Sequence, residues 1–347
     1  MTFPLNTWYV AATPDEIPPD QPLGRRICDQ PIALYRDAEG RIAAVEDFCP
    51  HRGAPLSLGF VRDGHLVCGY HGLTMGGDGR TVSMPGQRVR GFPCIRAYAV
   101  EERHGFIWIW PGERDQADPA TIPTPIWSGR DDWAYGGGLY HMPCDYRLLI
   151  DNLMDLTHET YVHASSIGQK EIDEAPVATR VEQGVVITER RMAGIHAPPF
   201  WQMAMRAHGL DPEAEVDRWQ ICRFQAPSNV HIDVGVALAG RGGLQAPLAD
   251  KVYSVVVDWI TPETATSCWY FWGMARHFQP QDSALTDAIR TGQGKIFMED
   301  MEMLRRQQQN LLAWPDRALL KLNIDTGGVQ SRRIIDALIA AERPPAA

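Results

Sequence analysis

Cys49-Pro50-His51-Arg52-Gly53-Ala54-Pro55-Leu56-Ser57, followed by Cys68-Gly69-Tyr70-His71-Gly72, sets a C-x-H pair ahead of a C-x2-H pair with sixteen residues between them. Two thiolates and two imidazoles at this spacing can hold zinc. The same four can hold a [2Fe-2S] centre of the Rieske type, in which two cysteines bind one iron and two histidines the other. Spacing alone does not separate the two. The glycines beside each pair favour the cluster, because a glycine-bearing loop closes over the sulfurs and presents backbone N–H donors that tune a redox centre. The other cysteines, Cys28, Cys94, Cys144, Cys222 and Cys268, lack partners of this kind and are expected in the core; seven cysteines at irregular spacing argue against a disulfide framework.

Outward from these loops, the first 112 residues read as short strands punctuated by turns: Pro31–Tyr35, Arg41–Val45 and Gly105–Trp110. This is an all-β module. Residues 113–132, rich in proline and poor in apolar periodicity, read as a connector to a second part over 133–347. There, Leu149, Leu153 and Leu156 predict a core-facing helix from Asp145 to Val162, and segments near 177–192, 216–224, 229–238, 251–260 and 267–276 alternate or are rich in Val, Ile and Trp, as antiparallel strands require. Residues 283–312, without proline, predict a long helix. The fold class is therefore α+β.

The predicted helix carries Asn152, Asp155, His158 and His163. Asp155 and His158 share a face, whereas His158 and His163 are five apart, about 140° around an ideal helix. Joint ligation by both histidines requires the helix to end or distort before His163. Two imidazoles and a carboxylate on one face of Fe(II) leave positions open for oxygen chemistry. Asp155 stands one turn from His158 and is better placed to hold that ring's other nitrogen. Asp300, in Phe297-Met-Glu-Asp300-Met-Glu-Met, is an acid among apolar residues, while Glu299 and Glu302 are expected on other faces of the same helix.

Composition limits the alternatives. A hydrophobic fraction of 44% and a net charge of -10 describe a folded chain with little affinity for phosphate backbones, so nucleic acid is not an expected partner. No stretch has the length and apolarity of a membrane span, and Met1 to Pro18 lacks the pattern of a secretion signal, so a cytoplasmic location is the expectation.

Taken together, Cys49-Pro-His51-Arg, Cys68-Gly-Tyr-His71-Gly and Asn152-Leu-Met-Asp155-Leu-Thr-His158-Glu-Thr-Tyr-Val-His163 resemble the α-subunits of the Rieske non-haem iron oxygenases, within them the aryl methyl ether O-demethylases. The likeness extends from Asn6-Thr-Trp8 to Asn323-Ile-Asp-Thr-Gly-Gly. It implies a Rieske domain followed by a helix-grip catalytic domain. It implies a [2Fe-2S] cluster on Cys49, His51, Cys68 and His71, and a mononuclear Fe(II) on His158, His163 and Asp300, with Asn152 nearby. It also implies a head-to-tail homotrimer in which Asp155 links His158 to His71 of the partner subunit. The implied reaction is O2-dependent hydroxylation of the methyl ether carbon of a methoxybenzoate such as vanillate. Ring hydroxylation, another demethylation and a purely electron-carrying role are the alternatives. Electrons would come from NADH through a separate FMN and ferredoxin-type reductase, since the chain has no G-x-G-x-x-G fingerprint after a strand. The substrate pocket should be aromatic with a few polar groups. Candidates for its lining are Phe200, Trp201, Asn229, His231 and Trp272, with Arg206 and Arg223 as possible carboxylate partners.

Overall fold

The computed structural model describes residues 2–163, 172 and 175–343, and the chain divides into two compact units. Residues up to Pro125, together with 261–265 and the stretch from Ile339 on, form the first; 126–260 and 266–338 form the second.

Short β-branched and aromatic runs separated by turns give the first unit β1 (Tyr9–Ala12), β2 (Leu23–Ile27), β3 (Gln30–Arg36), β4 (Ile42–Glu46), β5 (Phe60–Arg62), β6 (His65–Val67), β7 (Thr74–Met75), β8 (Thr81–Ser83), β9 (Ala99–Arg103) and β10 (Phe106–Trp110). They pair as three small sheets, in the orders β1-β10-β9, β2-β3-β4 and β5-β6-β7-β8. The run Phe106-Ile-Trp-Ile-Trp110 has no polar face, and the strand is accordingly central in its sheet and buried at every position. Tyr35, Val45, Leu56, Leu66 and Met75 pack into one core with Cys49 and Cys68, which anchors both cysteine loops to the sheets.

In the second unit, β11 (Ala134–Met142) is followed by α1 (Tyr146–Leu153), α2 (Glu159–Val162), β12 (Val177–Glu182), β13 (Val185–His196), α3 (Pro199–Ala207), β14 (Glu215–Gln225), β15 (Asn229–Leu238), β16 (Lys251–Thr264), β17 (Ser267–Arg276), α4 (Ser283–Ala313) and α5 (Thr326–Ala341). The strands form one antiparallel seven-stranded sheet in the order β11-β17-β16-β15-β14-β13-β12.

Helix α4 is 31 residues, about 47 Å long. It buries only a stripe: Ile289, then Gly294, Phe297, Asp300, Leu304 and Gln308, the last five at the three-and-four spacing of one helix face. That stripe lies on β11 and β17. Trp272 on β17 is wedged against Tyr140 of β11 and Phe297 of the helix, with ring centroids 5.6 and 5.2 Å apart. The three glycines Gly136-Gly137-Gly138 let the strand run close beneath. A Cβ on Gly136 would stand 2.7 Å from Thr286 of the helix, and one on Gly137 would stand 2.2 Å from the Trp272 carbonyl oxygen.

The same substitution at two glycines should therefore move stability in opposite directions. Gly137→Ala forces a backbone carbonyl aside and is expected to destabilise by about 1–3 kcal/mol. Gly292→Ala, in the interior of α4 with nothing within 4 Å of its added Cβ, is expected to stabilise by about 0.5–1 kcal/mol. Denaturant midpoints of the two variants check this; shifts of the same sign contradict the packing described.

Candidate active site

Two loops of the first unit share one hydrogen-bond pattern. In the first, the Cys49 N–H donates to the Ala54 carbonyl at 2.9 Å and the Gly53 N–H to the Cys49 carbonyl at 2.8 Å. In the second, the Cys68 N–H donates to the Leu73 carbonyl at 2.8 Å and the Gly72 N–H to the Cys68 carbonyl at 3.0 Å. Each turn needs a positive φ, and Gly53 at 68° and Gly72 at 74° supply it. The loops thus turn both sulfurs inward and bring the rings of His51 and His71 to 4.6 Å between centroids. Burial pushes the Cys49 thiol up, with Cys68 beside it, while the backbone N–H groups of His51 and Arg52 pull it the other way. Both cysteines are free thiols, so this closeness is not a disulfide.

In the second unit the expected helix from Asp145 to Val162 is two helices. Asp145 caps α1 through the Arg147 N–H, and α1 stops at Leu153. Asp155 then competes with the helical ladder, its Oδ1 accepting the Thr157 N–H and hydroxyl, both at 2.7 Å. The single turn of α2 follows, with His158 immediately before it and His163 immediately after. The break resolves the angular mismatch: the rings lie 5.2 Å apart between centroids and both face Asp300 of the buried stripe. His158 Nε2 is 3.6 Å and His163 Nε2 3.3 Å from Asp300 Oδ1, and one donor atom from each of the three residues falls within 4.8 Å of the others.

The surrounding groups hold these three in place. Asn152 Nδ2 donates to Asp300 Oδ1 at 3.0 Å, and Asp155 Oδ2 lies 3.8 Å from His158 Nδ1. Burial pushes the Asp155 carboxyl up, but His158 and the Thr157 donors outweigh it and hold it below the usual carboxylate range. Glu299, expected on another face, instead meets His163 Nδ1 at 2.6 Å; residues adjacent on a helix diverge by only about 100°, and a half-buried acid beside the stripe can still reach inward. Burial works against a charged His163, yet Asp300 and Glu299 together raise its pKa above that of a free imidazole. Glu302 lies on the outer face, bonded to Arg305 and Arg306.

These residues stand at a cavity of about 630 Å³ between α4 and the sheet. Phe200 and Trp201 line it. His231, Asn229 and Trp272 lie outside the lining, and strand parity explains the first two: Ile232 and Val234 of β15 face the cavity, so odd positions face away. His231 packs edge-on against Trp259, and burial holds its pKa down to about 4. Trp272 fixes the long helix to the sheet. Arg223 has the same odd parity and pairs with Asp233 at 2.8 Å, and Arg206 is exposed on α3 outside the lining. Residues that sequence reading did not single out, Arg218, Gln220 and Cys222 of β14, line the cavity instead. Cys222 is thus both core and cavity wall, and Cys94, expected in the core, is exposed. Gln220 is locked: its amide donates to both carboxylate oxygens of Glu159, and its carbonyl accepts from Arg190 at 2.7 and 3.1 Å.

Residues 7–98 match the Rieske [2Fe-2S] domain, and residues 142–341 match the vanillate O-demethylase oxygenase C-terminal domain. The chain is 69% identical over 344 residues to the vanillate O-demethylase oxygenase subunit of Pseudomonas sp. (strain HR199 / DSM 7063), covering 99% of this chain and 97% of that one. It is 37% identical to the oxygenase component of dicamba O-demethylase from Stenotrophomonas maltophilia, covering 97% and 98% of the two chains. The crystal structure of dicamba monooxygenase bound to 3,6-dichlorosalicylic acid superposes with a TM-score of 0.89 at 34% identity, covering 99% of this chain and all of that one.

The network in the cavity wall carries its own expectation. Gln220→Leu leaves Glu159 and Arg190 short of buried partners and should destabilise the protein by about 1–3 kcal/mol, read from its denaturant midpoint. A variant as stable as the parent would show that Gln220 does not hold that pair.

Proposed function

Because the chain belongs to the Rieske non-haem iron oxygenases of the vanillate O-demethylase type, we propose that it is the terminal oxygenase that O-demethylates vanillate, or a closely related methoxybenzoate, to a phenol and formaldehyde. The observation that carries this reading is the convergence of His158, His163 and Asp300 within 4.8 Å at the edge of a largely apolar cavity. Two imidazoles and one carboxylate are the donor set of a non-haem Fe(II) site that keeps positions open. Cys49 and Cys68 would hold one iron of the [2Fe-2S] cluster and His51 and His71 the other, a set whose two buried thiols and two clustered rings fit that division. When bound, the cluster supplies electrons and the mononuclear iron activates O2.

The protein's own part is to orient and to exclude water. Asn152 and Glu299 fix Asp300 and His163, and Asp155 stands behind His158. Phe200 and Trp201 offer aromatic faces to a planar substrate ring. At the substrate, the ether methyl carbon gains a hydroxyl, one oxygen atom of O2 leaves as water, and two electrons and two protons are consumed. The hemiacetal then collapses to the phenol and formaldehyde. An electron carrier would need neither this triad nor this cavity.

As the oxygenase component of a multicomponent system, the chain works with a reductase. In this reading the reductase is of the FMN and ferredoxin type and passes on electrons from NADH, and the enzyme is cytoplasmic; no helix among the described residues is long and apolar enough to cross a membrane. A cluster module to about Gly112 and a catalytic part from about residue 133 are joined by a connector. The assembly is a head-to-tail homotrimer, with Asp155 reaching His71 of the partner subunit. Two surfaces support self-association. Leu58 and Tyr70, beside the cluster loops, are 79% and 61% exposed. A run of apolar side chains after α4, including Trp314, Leu319 and Leu320, is also exposed.

The test is formaldehyde release by the iron-loaded protein given vanillate, NADH and a competent reductase, beside His158→Ala. Release in the parent and its loss in the variant, with the cluster spectrum intact, is the expected result. Absence of release from the parent would move the substrate to another aromatic.

A further inference from the structure

Helix α4 turns one uncommitted amide toward the cavity. Ile289, Gln293, Ile296 and Asp300 all line it, at the three-and-four spacing of one helix face. Gln293 therefore interrupts an apolar stripe between two isoleucines, much as Asp300 does further on. It is half-buried, and among the described residues its side chain has no hydrogen-bond partner. Seven residues, almost two full turns, separate it from Asp300. The two side chains thus leave the helix about 20° apart in direction and about 10 Å apart along the axis.

The other amide and charged side chains at the cavity are committed or misplaced. Asn152 is bonded to Asp300, Asp155 to Thr157 and Glu299 to His163, while Gln220 is occupied by Glu159 and Arg190. Arg218 has an interaction of its own within the protein. Lys295 is exposed and, two residues on from Gln293, leaves the helix about 160° away from it, at the rim. Among the described residues, Gln293 alone combines free N–H donors with a place on the cavity-facing stripe. Beside it Gly292 also lines the cavity, and a Cβ there would meet nothing within 4 Å, so a ring has room against this turn. The carboxylates of Asp155, Glu299 and Asp300 gather at the triad end.

With the methyl carbon of vanillate at the triad, the phenolic oxygen, its neighbour on the ring, stays at that end, and the carboxylate is carried away by the width of the ring. We infer that Gln293 is a specificity-determining residue for the aromatic acid: its amide N–H groups donate to the substrate carboxylate and hold the ring with its methoxy group toward His158, His163 and Asp300. This deepens the O-demethylase reading and rests on it. A reversed ring would set carboxylate against the acids of the triad end and leave the amide unpaired.

Calorimetric titration of the iron-loaded holoenzyme with vanillate and with 4-methylguaiacol tests the inference; the second ligand keeps the ring, the ether and the phenol but carries a methyl group in place of the carboxylate. Gln293→Leu should weaken vanillate binding about 10-fold and change 4-methylguaiacol binding by less than about 3-fold. Gln293→Glu keeps the shape but sets one carboxylate against another, and should weaken vanillate binding about 30-fold or more with 4-methylguaiacol again changed by less than about 3-fold. Leucine and glutamate are both good helix formers, cluster absorbance and thermal midpoint report folding, and if one variant does not fold the other decides. A parent-like ratio of vanillate to 4-methylguaiacol affinity in a folded variant overturns the inference, as does failure of the parent to bind vanillate. With that ratio parent-like, formaldehyde release from vanillate would leave the O-demethylase reading standing without it. Vanillate binding that depends on Gln293, with no formaldehyde released by the parent, would instead leave the carboxylate contact standing and overturn the O-demethylase reading.

Discussion

A carboxylate buried on a helix stripe governs the second unit. Asp300 is 4% exposed, in line with Phe297 and Leu304, where an isolated charge would destabilise the fold by several kcal/mol. It is tolerable only with partners brought to it. The chain supplies them from one short segment: Asn152 from the end of α1, then His158 and His163 on either side of a single helical turn. The break after Leu153, the Asp155 turn and the shortness of α2 all follow from delivering two imidazoles to one oxygen atom. The sheet then has to stand off far enough to leave a cavity in front of them, which apolar residues of β15, β16 and β17 line together with Arg218, Gln220 and Cys222 of β14.

The polar groups divide by task. Those closest to the triad are fixed by hydrogen bonds to one another or to the turn: Asn152 to Asp300, Glu299 to His163 and Asp155 to Thr157. In the wall itself, Glu159 and Gln220 close a buried network with Arg190 in which an acid, an amide and a guanidinium satisfy one another. The wall can therefore stay rigid while the cavity remains mostly apolar. In the first unit the same economy appears in the two cysteine loops, where one hydrogen-bond pattern used twice aims two sulfurs and two rings at one point.

Much of this was legible in the sequence because the relevant signals are local. The C-x-H and C-x2-H pairs, the antiparallel runs and the long helix of 283–313 are carried by neighbours within a few residues. The apolar period 149, 153, 156 concealed the helix break, since Leu156 is buried whether or not the helix continues; only Asp155 and Thr157, a side-chain turn inside an apolar pattern, marked it. Asp300 stood out as an acid in an apolar run, but its role came from family likeness. The cavity wall was least legible. In Asn229-Val-His-Ile-Asp-Val-Gly-Val the even positions are all apolar and the odd ones polar or glycine, so parity is legible there, but a polar His231 looks like a ligand contact while the cavity is lined by the apolar even positions. Arg218 gave no signal because a lone arginine in a strand is ordinarily a surface cation. The glycine-rich β11 was also missed, since its glycines serve the close approach of a helix distant in sequence.

We propose that His158, His163 and Asp300 form one iron site separate from the cluster. Iron analysis of reconstituted protein, read with the visible spectrum, tests it most directly. About three irons per chain are expected in the parent, two in the cluster and one at the triad, and about two in Asp300→Ala with the cluster spectrum unchanged. An Asp300→Ala protein that keeps the full complement of iron would contradict it.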